Sequence, residues 1–251
     1  MENIYSLSIP SISLLIISGF LIGLSKTGIP GLGILSISIA AIALPARAST
    51  GVVLIMLICG DIFAVLYYRR SAVWKHLLRL FPYAFTGIFI GYLLMGRISD
   101  EQLRPAIGII ILVMLGLNFL WEKKGNLIYI PQRWYFAAIM GLIAGITTMM
   151  ANAAGPIMII YLLAMKLEKK EFIGTGAYYF FFGNLFKVPF SAKLGLINPH
   201  SLQLNLILLP GIICGAIAGI LLLKRIPTKV FNIIVEILTV AAAIKLLVPP
   251  R

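Results

Sequence analysis

The sequence predicts an all-α polytopic membrane protein. Of its 251 residues, 61% are hydrophobic and only 12% are charged, whereas charged residues make up about a quarter of an ordinary soluble domain. Apolar runs long enough to cross a bilayer recur from one end of the chain to the other. The short alternating segments that build a membrane β-barrel are not seen in the sequence.

About eight hydrophobic segments can be drawn, and the connections between them are too short to hold a soluble domain. They cover about residues 11–44, 50–68, 77–96, 104–121, 134–165, 172–190, 202–223 and 229–248. We therefore expect a single membrane domain over residues 1–251. The first and fifth segments contain glycine and proline breaks, so each is predicted to be a broken helix or a re-entrant hairpin.

The segments repeat as two four-segment units, about 11–121 and 134–248. Gly19–Ser25 matches Gly141–Thr147 at an offset of 122, and Gly60–Phe63 matches Gly183–Phe186 at an offset of 123. A third block matches at an offset of 128: Pro82, Gly87 and Gly91 correspond to Pro210, Gly215 and Gly219. Internal repeats of this kind are typical of membrane transporters.

The distribution of positive charge favours inverted repeats with both termini outside. If the interrupted segments are re-entrant hairpins, each half has three spans, and thirteen Lys and Arg residues lie on one side against seven on the other. The side rich in Lys and Arg is the cytoplasmic one. Eight full spans would make the repeats parallel and divide the charges eleven to nine. The net charge of +13 is explained by these loops, so no nucleic-acid partner is expected.

The first interruption combines helix breakers with hydrogen-bond donors, and it predicts half of a substrate site. A lysine within an apolar segment is costly and marks a functional site by default. The start of a second half-helix would also favour an anion. The candidate residues are Ser25, Lys26, Thr27, Gly28, Pro30 and Gly31. Alternatively, Lys26 only satisfies opened backbone carbonyls or extends to an aqueous cavity.

The second interruption is uncharged but polar, and we expect it to supply the other half of the site. Thr147 and Asn152 carry hydrogen-bonding side chains. Gly155 and Pro156 suit the first turn of a half-helix, where backbone N–H groups are free to meet a ligand. The alternative is that these small residues only allow close helix packing.

Asp61 and Asn184 occupy matching positions of the two repeats, each after a glycine. Asp61 could couple transport to a proton or ion, or it could simply pair with Lys26. Lys187 is a coupling or gating candidate, although it could also extend toward the membrane surface. Glu236, in the last segment, is expected to be a structural hydrogen-bonding partner.

The Gly87-x-x-x-Gly91 and Gly215-x-x-x-Gly219 patterns predict close helix packing, either within the chain or in a homodimer. Cys59 and Cys214 lie in apolar segments without a neighbouring Cys or His motif. Neither a metal site nor a cofactor is therefore predicted.

At these motifs the chain resembles the TauE/SafE family of sulfite and organosulfonate exporters. The resemblance covers nearly the whole chain. It is carried by Gly23-Leu-Ser-Lys-Thr-Gly-Ile-Pro-Gly-Leu-Gly33, by Ala154-Gly-Pro156 with Tyr161-Leu-Leu, and by Thr175 and Phe182-Gly-Asn184 with Lys187.

The resemblance implies a secondary transporter in the cell membrane that exports a small sulfur-containing anion such as sulfite or sulfoacetate. The residues alone predict an anion site between two halves, and the sulfur comes from the resemblance. An anion channel of the same architecture, or a permease for another anion, is the alternative. An enzyme is not expected, because acidic residues are few within the segments and no His lies there.

Overall fold

The protein is described by a computed structural model covering residues 7–28, 32–124, 134–222 and 228–248. Within these ranges it contains helices and no strands. They are α1 (Ile9–Thr27), α2 (Leu32–Ala43), α3 (Ala46–Tyr68), α4 (Trp74–Met95), α5 (Asp100–Lys124), α6 (Trp134–Ala151), α7 (Gly155–Ala164), α8 (Lys169–Lys193), α9 (Pro199–Leu222) and α10 (Thr228–Leu247). The eight predicted segments coincide with these helices, the first and fifth each holding two.

Among the described residues, five helices are long and apolar enough to cross a membrane: α1, α3, α4, α6 and α9. The longest of them, α9, has 24 residues and is therefore about 36 Å long, against a hydrocarbon core of about 30 Å. The short helices α2 and α7, with 12 and 10 residues, could cross only part of that core. The protein is a multi-pass membrane protein.

The chain reverses direction between α1 and α2. The hydroxyl groups of Ser18 and Ser36 lie 2.8 Å apart, and each also donates a hydrogen bond to the other residue's carbonyl oxygen. Closer to the break, Gly33 approaches the hydroxyl of Ser25. Residues that contact each other across the two helices are closer in sequence the nearer they lie to the break. Helices α1 and α2 therefore lie side by side and antiparallel.

The second interruption also reverses the chain, and Asn152 explains how α6 ends. Asn152 has a φ of 54°, in the left-handed region that asparagine tolerates better than most residues. The N–H group of Asn152 then donates to the carbonyl oxygen of Thr148, which closes the last helical turn as in the αL C-cap motif, and the N–H group of Ala153 donates to the carbonyl oxygen of Thr147. Beyond it, α7 folds back, so that Tyr161 stacks on Phe136 near the start of α6.

Glycines let two helix pairs pack backbone to backbone. Gly19 lies against Leu208 and Ile212 of α9, and Gly141 lies against Leu80 and Ala84 of α4. The residue numbers of the two sets of neighbours differ by 128, which is the offset found in the sequence for the third matching block of the repeats. Each later glycine on one helix contacts a later residue on the partner helix. Helix α1 is therefore parallel to α9, and α4 is parallel to α6.

The Gly-x-x-x-Gly patterns are used within the chain. Gly87 and Gly91 pack against α6, and Gly215 and Gly219 pack against α1. A side chain at Gly87 would meet the backbone of Leu142, so this surface is already covered. The expected homodimer loses its basis, because the small residues that suggested it have intramolecular partners.

Helices α3 and α8 run in opposite directions through the middle of the molecule. Gly51, near the start of α3, packs against Leu196, which follows α8. Asp61 contacts Asn184 halfway along both helices. At the other end, Tyr178 donates a hydrogen bond to the carbonyl oxygen of Arg69. The matching polar residues of the two repeats therefore meet at the crossing of α3 and α8.

Gly87→Leu is expected to lower the melting midpoint in detergent, because the added side chain would force α4 away from α6. Overpacking of this kind costs about 1–3 kcal/mol or more. Gly116→Leu is the matched control, since no neighbouring atom of the described residues lies within 4 Å of a Cβ added there. Equal midpoints for the two variants would contradict the packing of α4 on α6.

Candidate functional site

The crossing of α3 and α8 places a carboxylate in the interior of the protein. The Asp61 side chain is fully buried. Its Oδ2 accepts a hydrogen bond of 2.7 Å from Nδ2 of Asn184, and its Oδ1 lies 2.6 Å from Nζ of Lys26. The carboxylate therefore links α1, α3 and α8, and it joins the two predicted repeats.

Lys26 reaches this carboxylate from the last turn of α1. The position suits a cation, because the carbonyl end of a helix attracts positive charge. Its ammonium group also lies 4.3 Å from the centre of the Phe180 ring, in cation–π geometry. The Lys26 side chain is 12% exposed, whereas Asp61 is not exposed at all. Lys26 is therefore the more accessible member of this ion pair.

A second ammonium group is held on the other side of Asn184. Lys187 is 1% exposed, and its Nζ donates to three oxygens: Oδ1 of Asn152 at 2.6 Å, Oγ1 of Thr148 at 3.1 Å and Oδ1 of Asn184 at 3.1 Å. All three donors of the ammonium group are used. Lys187 is buried and does not extend toward the membrane surface.

The amides of Asn152 and Asn184 each bridge two partners, and this fixes their orientation. Asn184 donates to Asp61 and accepts from Lys187. Asn152 accepts from Lys187 and donates to the carbonyl oxygen of Thr50. We call this connected set the central polar network: Lys26, Asp61, Thr148, Asn152, Asn184 and Lys187.

The network carries an excess of positive charge. It has two ammonium groups against one carboxylate, which leaves one positive charge when all three groups are ionised. Lys26 is neutralised by Asp61, whereas the three acceptors of Lys187 are uncharged. Burying an ammonium group without a counter-charge is costly. The arrangement is therefore suited to receive an anion.

Three predicted site residues make packing contacts in this conformation. The hydroxyl of Thr27 donates to Gly23 and to Ala216. That of Thr147 donates to carbonyl oxygens of its own helix. Gly28 packs against the backbone of Gly219. These contacts join helices, and each of the three residues would have to change partners before it could bind a ligand.

The remaining predicted residues lie around the two helix ends. Ser25 is half-buried in α1, and Gly155 and Pro156 begin α7, which has no side-chain cap. Among the described residues, no atom from another part of the chain lies within 4 Å of a Cβ added at Gly155, so there is space at this helix start. Pro30 and Gly31 lie outside the described residues, as does the side chain of Glu236.

Two contributors were not predicted as site residues: Thr148, which binds Lys187, and Phe180, which faces Lys26. The repeat contained a signal for the first, because Thr148 corresponds to Lys26 at the offset of 122. The pairs Lys26–Asp61 and Thr148–Asn184 are therefore equivalent, one charged and one neutral. Lys187 corresponds to Ala64 and supplies the charge that the second pair lacks.

Comparison with known proteins identifies the family. A family model described as Sulfite exporter TauE/SafE matches residues 15–246. The chain belongs to this family. The match runs from α1 to α10 and includes every member of the central polar network. Neither the curated proteins nor the solved structures contain a match to the chain.

Membership of the TauE/SafE family agrees with the resemblance carried by the sequence motifs. Together with the apolar helices, it supports a multi-pass membrane transporter of the sulfite or organosulfonate exporter type. The family is one of transporters, which fits the expectation that the protein is not an enzyme.

In this TauE/SafE protein, Asp61→Asn is expected to be strongly destabilising, by about 3–5 kcal/mol, because it leaves Lys26 buried without its counter-charge. Lys26→Met should also destabilise, since it leaves the carboxylate unpaired. The double variant removes both charges and should lose much less stability than the sum of the two single variants.

Melting midpoints of the wild type, both single variants and the double variant would measure this coupling. Asp100→Asn is a suitable control, because Asp100 is a carboxylate outside the network that binds a backbone N–H group of Arg47. Additive losses in the double variant would show that the Lys26–Asp61 pair contributes no coupling energy.

Proposed function

We propose that the protein is a secondary transporter that exports a small sulfur-containing anion, such as sulfite, sulfoacetate or a related organosulfonate. The substrate would bind where the ends of α1 and α6 approach α8, and transport would follow alternating access. Membership of the TauE/SafE family supports the sulfur chemistry. The buried excess of positive charge in the central polar network is the single observation that supports an anion at this position.

The coordination of Lys187 suggests how the anion is held. Its present acceptors are two amide oxygens and a hydroxyl, and an ionised oxygen is a stronger acceptor than any of these. A sulfite or sulfonate oxygen would replace one or more of them. Lys26 would contribute the more accessible cation, and the start of α7 at Gly155 would contribute backbone N–H groups.

We further propose that the two halves are inverted in the membrane. The antiparallel contact between α3 and α8, which occupy matching positions of the two repeats, supports this arrangement. Both interrupted segments fold back on themselves, which supports re-entrant hairpins with three full spans in each half. The equivalent pairs α1–α9 and α4–α6 would allow the halves to exchange conformations, as alternating access requires.

Asp61, Asn184 and Lys187 are proposed to couple substrate binding to this exchange. The hydrogen bond from Asn184 to Asp61 joins α8 of one half to α3 of the other. Lys187 binds the same Asn184 amide, so a substrate that draws Lys187 away would leave Asn184 free to change this contact between the halves. Proton coupling through Asp61 is not required for export. An anion leaving a cell with a negative interior gains about 2.3 kcal/mol per charge for each 100 mV.

The proposed location is the cell membrane, with both termini outside. A reporter fused after Lys170 should therefore be active in the cytoplasm, because the surrounding loops carry most of the Lys and Arg residues. A reporter fused at Arg251 should be active outside. A cytoplasmic carboxyl terminus would contradict the inverted arrangement while leaving the transport activity to be tested separately.

Liposomes containing the purified protein are expected to release sulfite or a small organosulfonate faster than protein-free liposomes. Lys187→Met should lower this flux by at least tenfold, since it removes the donor that Thr148, Asn152 and Asn184 surround. Lys193→Gln is the matched control, because it removes a lysine from the last turn of the same helix, outside the network.

The same liposomes distinguish a carrier from a channel. A carrier should show saturable flux that increases when substrate is also present on the opposite side. Flux proportional to concentration, without such stimulation, would favour the anion channel. No flux of sulfite, sulfoacetate, taurine or sulfate would contradict the proposed function.

A further inference from the structure

A second group of polar side chains lies where α7 ends and α4 begins. Tyr161 is in the last turn of α7, about 9 Å along the helix axis from Gly155. One side of its ring stacks on Phe136. The His76 ring meets it edge-on, with 6.3 Å between the ring centres. The start of α6 and the end of α7 therefore enclose this group together with the start of α4.

Two buried polar atoms in this group have no partner among the described residues. They are the hydroxyl oxygen of Tyr161 and Nδ1 of His76. Tyr161 is 1% exposed, so water in bulk does not satisfy its hydroxyl. Leaving a buried hydroxyl group unpaired is costly, because the group has lost its hydrogen bonds to water. Two unpaired atoms on rings in edge-on contact indicate that a further group binds there.

The charges around these atoms favour an anion as the partner. Arg79 is one helical turn from His76 on α4, on the same face, and its positive charge acts on both His76 and Tyr161. Lys75 adds a second positive charge near His76, and Glu171 adds one negative charge. The Glu171 carboxylate already accepts a hydrogen bond from the N–H group of Glu168. One positive charge remains.

We propose that Tyr161, His76 and Arg79 form a second binding site, for a small oxyanion. The hydroxyl, an imidazole N–H group and the guanidinium group would each donate to a different oxygen of a sulfite, sulfonate or phosphate group. Arg79 provides the charge, and its planar donors match an oxyanion. The phosphate of an anionic lipid has the same chemistry as a free anion.

The position of this site suits it to bind substrate before the substrate reaches the central polar network. It lies beside the 69–73 connection, since His76 follows Val73 by three residues. The N–H group of Val73, just before α4, donates a hydrogen bond to the hydroxyl of Thr175. Arg69, Arg70 and Lys75 belong to the same end of the molecule. In the proposed topology this is the cytoplasmic side, so the site would collect substrate before it reaches the network. That role rests on the proposed function, whereas the binding itself does not.

Tyr161→Phe is the most informative variant, because it removes only the unpaired hydroxyl. Equilibrium binding of radiolabelled sulfite, and separately of sulfate, to the purified protein should weaken about tenfold, which corresponds to about 1.4 kcal/mol. The melting midpoint without anion should stay the same or rise. Tyr92→Phe is the control, since Tyr92 lies on α4 against Phe190, far along the helix from His76.

Arg79→Gln should weaken binding at least as much, and Arg70→Gln, at the same end of the molecule, should not. Both comparisons are repeated in a Lys187→Met background, which removes the contribution of the central polar network.

Competition by a short-chain phosphatidylglycerol identifies the source of the anion: displacement at concentrations below those of free sulfite assigns the site to lipid, and the reverse assigns it to solute.

Equal sulfite and sulfate affinities for Tyr161→Phe and Tyr92→Phe in both backgrounds would overturn the second site, and the buried hydroxyl would then be bound to water. A fall in the anion-free melting midpoint of Tyr161→Phe would also overturn it, because the hydroxyl would then have a structural partner. Absence of flux with Tyr161-dependent binding retained would instead reject the proposed transport function and leave this site intact.

Discussion

The buried ion pair between Lys26 and Asp61 is the interaction on which the centre of the protein depends. An ionised carboxylate with no exposed surface is tolerated only when it is paired and hydrogen-bonded. Asp61 therefore requires both the end of α1 and the amide of Asn184 on α8. The position of the first helix break and the crossing of α3 with α8 are coupled through this one side chain.

The two repeats solve the same packing problem with different chemistry. In the first half, Lys26 and Asp61 form a charged pair, and in the second half the equivalent Thr148 and Asn184 are neutral. Lys187 then adds a charge that has no counterpart at Ala64. A symmetric scaffold thus holds an asymmetric charge distribution. This asymmetry leaves the excess positive charge from which we infer an anionic substrate.

Backbone contacts at glycines fix some helix pairs together, whereas charged and polar side chains in the interior make a contact that a ligand can change. Gly19, Gly87, Gly141 and Gly215 bring helices so close that their surfaces are fixed within each α1–α9 or α4–α6 pair. The contact between α3 and α8 instead depends on polar side chains, which can exchange partners with a ligand. In the alternating access that we propose, the apolar helix pairs would move as units around this polar crossing.

The sequence by itself determined the helices, because long apolar runs can satisfy their backbone in a bilayer only as helices. It also determined the repeat and the breaks, through glycines, prolines and Asn152. It could not decide between Lys26 binding substrate and Lys26 pairing with Asp61, nor whether Lys187 is buried. Those outcomes depend on contacts between residues 35 to 123 positions apart, such as Lys26 with Asp61 and Asp61 with Asn184. Only the packing of α1, α3, α6 and α8 brings these side chains together.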